Sequence, residues 1–146
     1  MRNDDAGGVI YTLLRQFAFM LDAERSHRLG MGMLSRLQSS PGLLKSMVGR
    51  TTVPGDRLNQ SILGMTFSNP VGLAAGFDKN AEVLRAWGGL GFGFVEAGSV
   101  TPLPQPGNAK PRLFRIPEEF SIQNAMGFNN DGMVKMRTRV GREYPL

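Results

Sequence analysis

The chain has no cysteine and a single histidine, His27, among 146 residues. Without thiols there is no disulfide scaffold, no thiolate nucleophile and no cysteine-ligated zinc or iron–sulfur centre. One imidazole cannot build a histidine-rich metal site, and it argues against a Ser-His-Asp triad. Long apolar runs are lacking as well. The most apolar stretch, Val9 to Leu21, is broken by Thr12, Arg15 and Gln16, so nothing approaches the ~18 consecutive apolar residues of a membrane span. A cleavable signal peptide is not expected, because Asp4 and Asp5 follow Arg2 closely and no small-residue cleavage site follows Leu21. The same acids argue against a mitochondrial transit peptide. These absences point to a cytoplasmic chain without a metal centre, one that can still touch a membrane face.

What is present suits a folded domain. Apolar residues make up 41% of the chain, enough for a core, and 19 Gly with 9 Pro fall short of low complexity. Lys and Arg number 17 against 12 Asp and Glu, a net charge of +5. That charge is spread along the chain without the basic block of a nucleic-acid footprint. It would suit peripheral contact with anionic lipid. No internal repeat is visible.

The texture changes near residue 55. Val9, Ile10, Leu13, Leu14, Phe17, Met20 and Leu21 follow the i, i+3, i+4, i+7 spacing of an amphipathic helix. Asp22 is a good N-cap for a second helix, with Glu24 in its first turn. Leu29, Met33, Leu34 and Leu37 continue an apolar face until Ser39-Ser40-Pro41-Gly42 stops it. Leu43, Leu44, Met47 and Val48 suggest a short third helix, and Thr51 to Asp56 a linker. Within these helices His27 is expected to be a helix-surface residue beside Arg28. The methionines and phenylalanines are expected to pack, although they could also line an apolar ligand path.

From Leu58 onward the grammar is that of a parallel α/β sheet. Leu58 to Phe67 reads as two short strands around Gly64. Val71 to Gly76 reads as a buried parallel strand, Asn80 to Leu90 as a helix, and Phe92 to Val100 as a second buried strand. The proline-rich stretch Thr101 to Pro111 is a loop, Arg112 to Ile116 alternates as a strand, and Asp131 or Gly132 to Val140 is a helix.

Three clusters carry candidate chemistry. Gly72-Leu-Ala-Ala-Gly-Phe-Asp-Lys-Asn80 ends a strand and opens a helix, the end of a parallel sheet where active sites form. Ala74, Ala75 and Gly76 let a flat ring or a phosphate approach the backbone, and Lys79 sets a cation beside them. An ordinary βα turn with a solvated lysine fits that spacing equally well. Ser99 and Thr101, after the second strand, could bind a ligand or simply cap a turn. Glu96 would need a partner if buried. Gln123 to Gly132 holds three Asn and one Gln, which suit a neutral heterocycle with alternating donors and acceptors. Asn130 or Asp131 could instead serve as a helix cap.

Together these segments resemble the quinone-dependent (class 2) dihydroorotate dehydrogenases. Gly64 to Asn80 is similar to their first barrel strand, and Gly91 to Asn108 to the second strand and loop. Pro111-Arg-Leu-Phe-Arg115 and Asn124-Ala-Met-Gly-Phe-Asn-Asn-Asp-Gly132 continue the match, and Leu21-Asp-Ala-Glu-Arg-Ser-His27 resembles the family's helical leader. The resemblance implies the N-terminal part of an FMN-dependent (β/α)₈ barrel, with a helical membrane-associating and quinone-entrance domain at 1–55 and a partial barrel at 56–146. It implies oxidation of dihydroorotate to orotate in pyrimidine synthesis, by hydride transfer to FMN with quinone as acceptor, on the cytoplasmic side of the bacterial inner membrane. Ala75, Gly76, Phe77, Asp78, Lys79 and Ser99 would lie against FMN. Lys79, Asn124, Ala125, Met126, Gly127 and Phe128 would face orotate. Ala125 stands where the family usually has Arg, and Gln123 where it usually has an apolar residue.

A (β/α)₈ barrel takes about 250 residues, and barrel-like sequence here runs from 58 to 146, roughly a third of that. The family's catalytic serine has no counterpart in this stretch, so the isolated chain is expected to be inactive and poorly soluble through its open strand edges. A catalytically dead membrane- or partner-binding module and another FMN barrel oxidoreductase are the alternatives.

Overall fold

A computed structural model describes residues 4–40, 42–46 and 55–143. The chain opens with two helices, α1 (Asp4–Met20) and α2 (Ala23–Gln38). Asp22 breaks between them as expected: its Oδ1 accepts from the Glu24 and Arg25 amides at 3.0 and 3.1 Å, satisfying two of the orphan donors of α2. Residues 42–46 form a further helical turn. The expected third helix reaches past this into 47–48, and the expected linker spans 51–56; of these, 47–50 and 51–54 lie outside the described residues.

The buried face of α2 differs from the expected one. Leu29 and Met33 are exposed, and the face turned inward carries Ala23, Glu24, Met31 and, partly buried, Leu34. Two neighbours impose this choice, because α2 packs on both the helix and the strand hairpin that follow. Gly30 and Gly32 do not interrupt it.

Strands β1 (Gln60–Ile62) and β2 (Met65–Phe67) form an exposed antiparallel hairpin with Ile62 opposite Met65. Leu63 and Gly64, both at positive φ, make the two-residue turn. Next come β3 (Gly72–Leu73), α3 (Leu84–Gly89) and β4 (Phe94–Val95), a right-sized βαβ unit in which β3 and β4 pair in parallel. Both strands are shorter and less buried than the sequence suggests, and Glu96 is exposed, so it needs no buried partner. The backbones approach closely here: a side chain at Gly72 would overlap the Phe94 ring, and one at Gly93 would overlap the Asn69 carbonyl.

Helix α3 begins four residues later than expected, and Asp78 explains the delay. Its carboxylate is 1% exposed and accepts from the Glu82 amide (2.8 Å), the Val83 amide (3.1 Å) and the Trp87 indole (3.2 Å). Residues 79–82 therefore wrap around a carboxylate before the helix starts. Trp87 joins Met31, Val83 and Ala86 in the core, with Leu34, Leu73, Phe92 and Val95 packed around them.

After the loop at 101–111, β5 (Leu113–Ile116) pairs with β6 (Ser121–Asn124) across a 3₁₀ turn, Pro117–Glu119. Strand β6 was not legible, because the sequence there shows no alternation. Helix α4 (Met133–Glu143) completes the described chain and runs three residues past Val140.

Candidate functional site

The end of β3 and the segment after β6 meet. Lys79 Nζ donates to the Gly127 carbonyl at 2.9 Å, and Asn80 Oδ1 accepts from the Asp131 amide at 2.9 Å. Arg139 locks the same junction, donating to the Asn80 carbonyl at 3.2 Å and to Asp131 at 2.6 Å. Two clusters about fifty residues apart in sequence thus become one site.

Between these clusters and α2 lies a cavity of about 980 Å³. Its β3 wall is Leu73 to Asn80, and its second wall carries Leu113, Arg115, Ile122, Asn124, Met126 and Asn129. Helix α2 closes the third side with Glu24, His27 and Met31. The β3 wall is nearly bare backbone at Ala74, Ala75 and Gly76. Gly76 sits at φ +93° with open space where a Cβ would stand, and its amide donates to the Gly98 carbonyl at 3.1 Å, which sets Ser99 at the neighbouring strand end.

Of the residues the sequence nominated, Ala75, Gly76, Phe77, Asp78, Lys79, Asn124 and Met126 line this cavity; Ser99, Ala125, Gly127 and Phe128 do not. Gly127 contributes its carbonyl to Lys79. Phe128 points its ring to solvent, 64% exposed. Ala125, the position where arginine is usual in the resembled family, is held by its backbone alone: its amide donates to the Arg112 carbonyl at 2.9 Å, and its own carbonyl accepts from Asn108 Nδ2 at 2.8 Å. The Asp78 side chain is committed to α3, so only its backbone remains for a ligand.

The amides of the third cluster divide their work. Asn124 Oδ1 accepts from the Met126 amide at 2.9 Å, folding the segment back on itself. Asn130 is buried and structural. Its Oδ1 accepts from the Thr101 and Gly132 amides and its Nδ2 donates to the Phe128 carbonyl. Asn129 lines the cavity with a buried Oδ1 that has no hydrogen-bond partner. An orphaned acceptor in a cavity wall calls for a donor from a ligand or water.

Two site residues escaped the sequence reading. His27 is not a surface bystander. It lines the cavity and meets Phe77 edge to face at 4.8 Å, and Phe77 in turn meets Trp87 at 5.4 Å. Burial holds its pKa below the ordinary imidazole value, opposed by the charges of Asp78, Glu82 and Glu24. Arg115 also lines the cavity while donating to the Leu21 carbonyl (2.7 Å), the Ala18 carbonyl (3.2 Å) and Ser26 Oγ (3.0 Å) at the α1–α2 corner. Its place in a strand pattern gave no signal of that reach. Lys79 is held below the usual lysine range, first by desolvation and then by the charge of Arg112. An anion binding beside it would recover both costs.

With this geometry in view, the likenesses to known proteins are specific. The family model for dihydroorotate dehydrogenase matches residues 57–144. The quinone dihydroorotate dehydrogenase of Sulfurovum sp. is 48% identical over 135 residues, covering 92% of this chain and 38% of that protein. Its counterpart in Novosphingobium aromaticivorans is 50% identical over 132 residues, 90% of this chain and 35% of that protein. A crystal structure of the Eimeria tenella enzyme in complex with ferulenol superposes with a TM-score of 0.69 at 39% identity, over 82% of this chain and 30% of that one. The chain spans between 35% and 38% of the length of these curated relatives.

Proposed function

The chain belongs to the dihydroorotate dehydrogenase family, and from that premise we propose that residues 1–146 carry the electron-acceptor entrance and one half of the flavin and substrate site of a quinone-dependent dihydroorotate dehydrogenase. The observation that carries this reading is the cavity wall itself. Bare backbone at Ala74 to Gly76, a desolvated cation at Lys79 and the amide segment at 124–129 border one space.

The residues present fit a flavin. Ala75 and Gly76 leave room for a flat ring against the main chain, Phe77 and Asp78 flank them, and Ser99 offers a hydroxyl from the adjacent strand end. These residues would hold flavin mononucleotide, which would supply a hydride acceptor for the dihydropyrimidine ring and a route for the electrons onward. Lys79 pairs with the substrate carboxylate. Asn124 and Met126 border the substrate pocket, with Ala125, Gly127 and Phe128 in the same segment behind that wall, and the pyrimidine edge, with its N–H and C=O groups, matches what side-chain amides donate and accept. The proton acceptor of the reaction belongs to parts of the relatives that these residues do not span. Residues 1–146 alone therefore bind ligand weakly and do not turn over.

Where α2 meets the other two walls, the cavity is apolar at Met31 and Phe77 and polar at His27 and Arg115, a lining suited to a quinone ring with its carbonyl groups. The domain division follows: residues 1–55 receive the quinone at the membrane face, and 56–146 belong to the barrel. Among the described residues no helix is long and apolar enough to cross a membrane. Helix α1 exposes Leu13, Leu14, Phe17 and Met20, which supports peripheral contact with the cytoplasmic face of the inner membrane.

Titrating the ¹⁵N-labelled chain with orotate tests the site. Shifts should concentrate in 75–79 and 124–129 and vanish in Lys79→Ala. Dye reduction with dihydroorotate and FMN should stay at the free-flavin background. Orotate shifts elsewhere in the chain would contradict the assignment, and turnover above background would contradict the division of labour.

A further inference from the structure

The leader helix α2 reaches the substrate segment through one buried ion pair. Glu24, 7% exposed, receives Arg112 at both oxygens: Arg112 Nε donates to Oε2 at 3.1 Å and Nη2 to Oε1 at 3.0 Å. Lys110 adds a third contact to Oε1 at 2.8 Å from a half-exposed position. Arg112 is equally buried, and its remaining nitrogen, Nη1, donates to the carbonyls of Pro106 (2.6 Å) and Asn108 (2.9 Å). Gly107, between them, sits at φ +75°, where a side chain would strike Arg112. The loop thus closes around the guanidinium.

That loop in turn carries the substrate segment. The Asn108 amide donates to the Met126 carbonyl at 3.0 Å, Asn108 Nδ2 donates to the Ala125 carbonyl at 2.8 Å, and the Ala125 amide donates to the Arg112 carbonyl at 2.9 Å. Resting on the site reading above, we infer that Glu24 and Arg112 are positioning residues for the substrate segment 124–127, so that the leader helix sets the pocket's shape as well as forming the acceptor's approach. Ala125 has no long side chain to brace the segment, and the Arg112 hub supplies that brace through main-chain bonds. The guanidinium fork matters because four of its five planar donors serve the carboxylate and two carbonyls at once, which an ammonium with three donors cannot do. The charge of Glu24 matters because a buried guanidinium needs a paired carboxylate, and both Glu24 oxygens accept from it.

The test combines amide hydrogen exchange and orotate titration on the 146-residue chain, comparing wild type with Glu24→Gln, Arg112→Lys and Lys110→Ala. In both Glu24→Gln and Arg112→Lys, the Asn108 and Ala125 amides should exchange about tenfold faster or more while the Trp87 and β1–β2 amides hold their rates. Orotate affinity should fall by a similar factor, and Lys110→Ala should leave both readouts near wild type. Uniform acceleration of all amides would reduce the pair to a general stabiliser and overturn the proposal. Unchanged exchange at Asn108 and Ala125, or local loosening with full orotate affinity, would also overturn it. Local loosening in the two variants, together with a wild type that shifts nowhere with orotate, would instead remove the substrate reading and leave the brace standing.

Discussion

Lys79 and His27 show how far single residues can be read from a sequence. Lys79 stood out as a cation after a run of small residues at a strand end, a spacing that a solvated lysine fits equally well, and the cavity gives it a wall and a partner carbonyl. His27 did not, because its role depends on Phe77, fifty residues away, swinging against it. Its burial has a measurable consequence. The folded state binds a proton at His27 less readily than the unfolded chain does, so the contribution of His27 to stability is complete above the ordinary imidazole pKa and is lost as the pH falls through and below it. Thermal unfolding of wild type should therefore drop between neutral pH and about pH 5 by more than that of His27→Gln. Equal slopes would mean that the imidazole is freely solvated. Asp78 teaches the opposite lesson. Its position in the motif suggested a ligand contact, whereas its side chain is spent on the α3 amides and the Trp87 indole.

At the scale of elements, the punctuation of the sequence served well. Asp22 starts α2, Ser39-Ser40 ends it, and Gly64 turns the first hairpin, all by local chemistry that composition reveals. The inward face of α2 and the existence of β6 were not readable, since both depend on contacts with α3 and β5 formed across long stretches of chain. Helix α1 retains an apolar surface that packing within the described residues does not cover, with Arg15 and Arg115 both stacked on Phe19 at its end. We expect the chain to float with vesicles containing anionic lipid and Leu13→Glu/Phe17→Glu to lose most of that binding without a change in circular dichroism. Equal flotation of the two proteins would assign the membrane contact to another surface.

At the scale of the molecule, the described β/α segment is the beginning of the barrel its relatives form, with the helical leader packed at the same end as the site. One parallel strand pair cannot close a barrel, yet the loops at its C-terminal end already face one another through Lys79, Asn80 and Arg139. Ala75 to Lys79, Asn124 and Met126, nominated from the sequence, do line one cavity, because strand-end loops are local motifs. The central claim is that these residues supply a working half-site, and a chimaera tests it most directly. Residues 1–146 replace the aligned part of the Sulfurovum enzyme, with which they share 48% identity over 135 residues, and dihydroorotate-dependent reduction of a soluble quinone is measured. The chimaera should bind flavin and turn over, and Lys79→Ala should lower kcat/KM at least about a hundredfold through loss of the cation facing the substrate carboxylate. A folded, flavin-loaded chimaera that turns over equally well with alanine at position 79 would contradict the account.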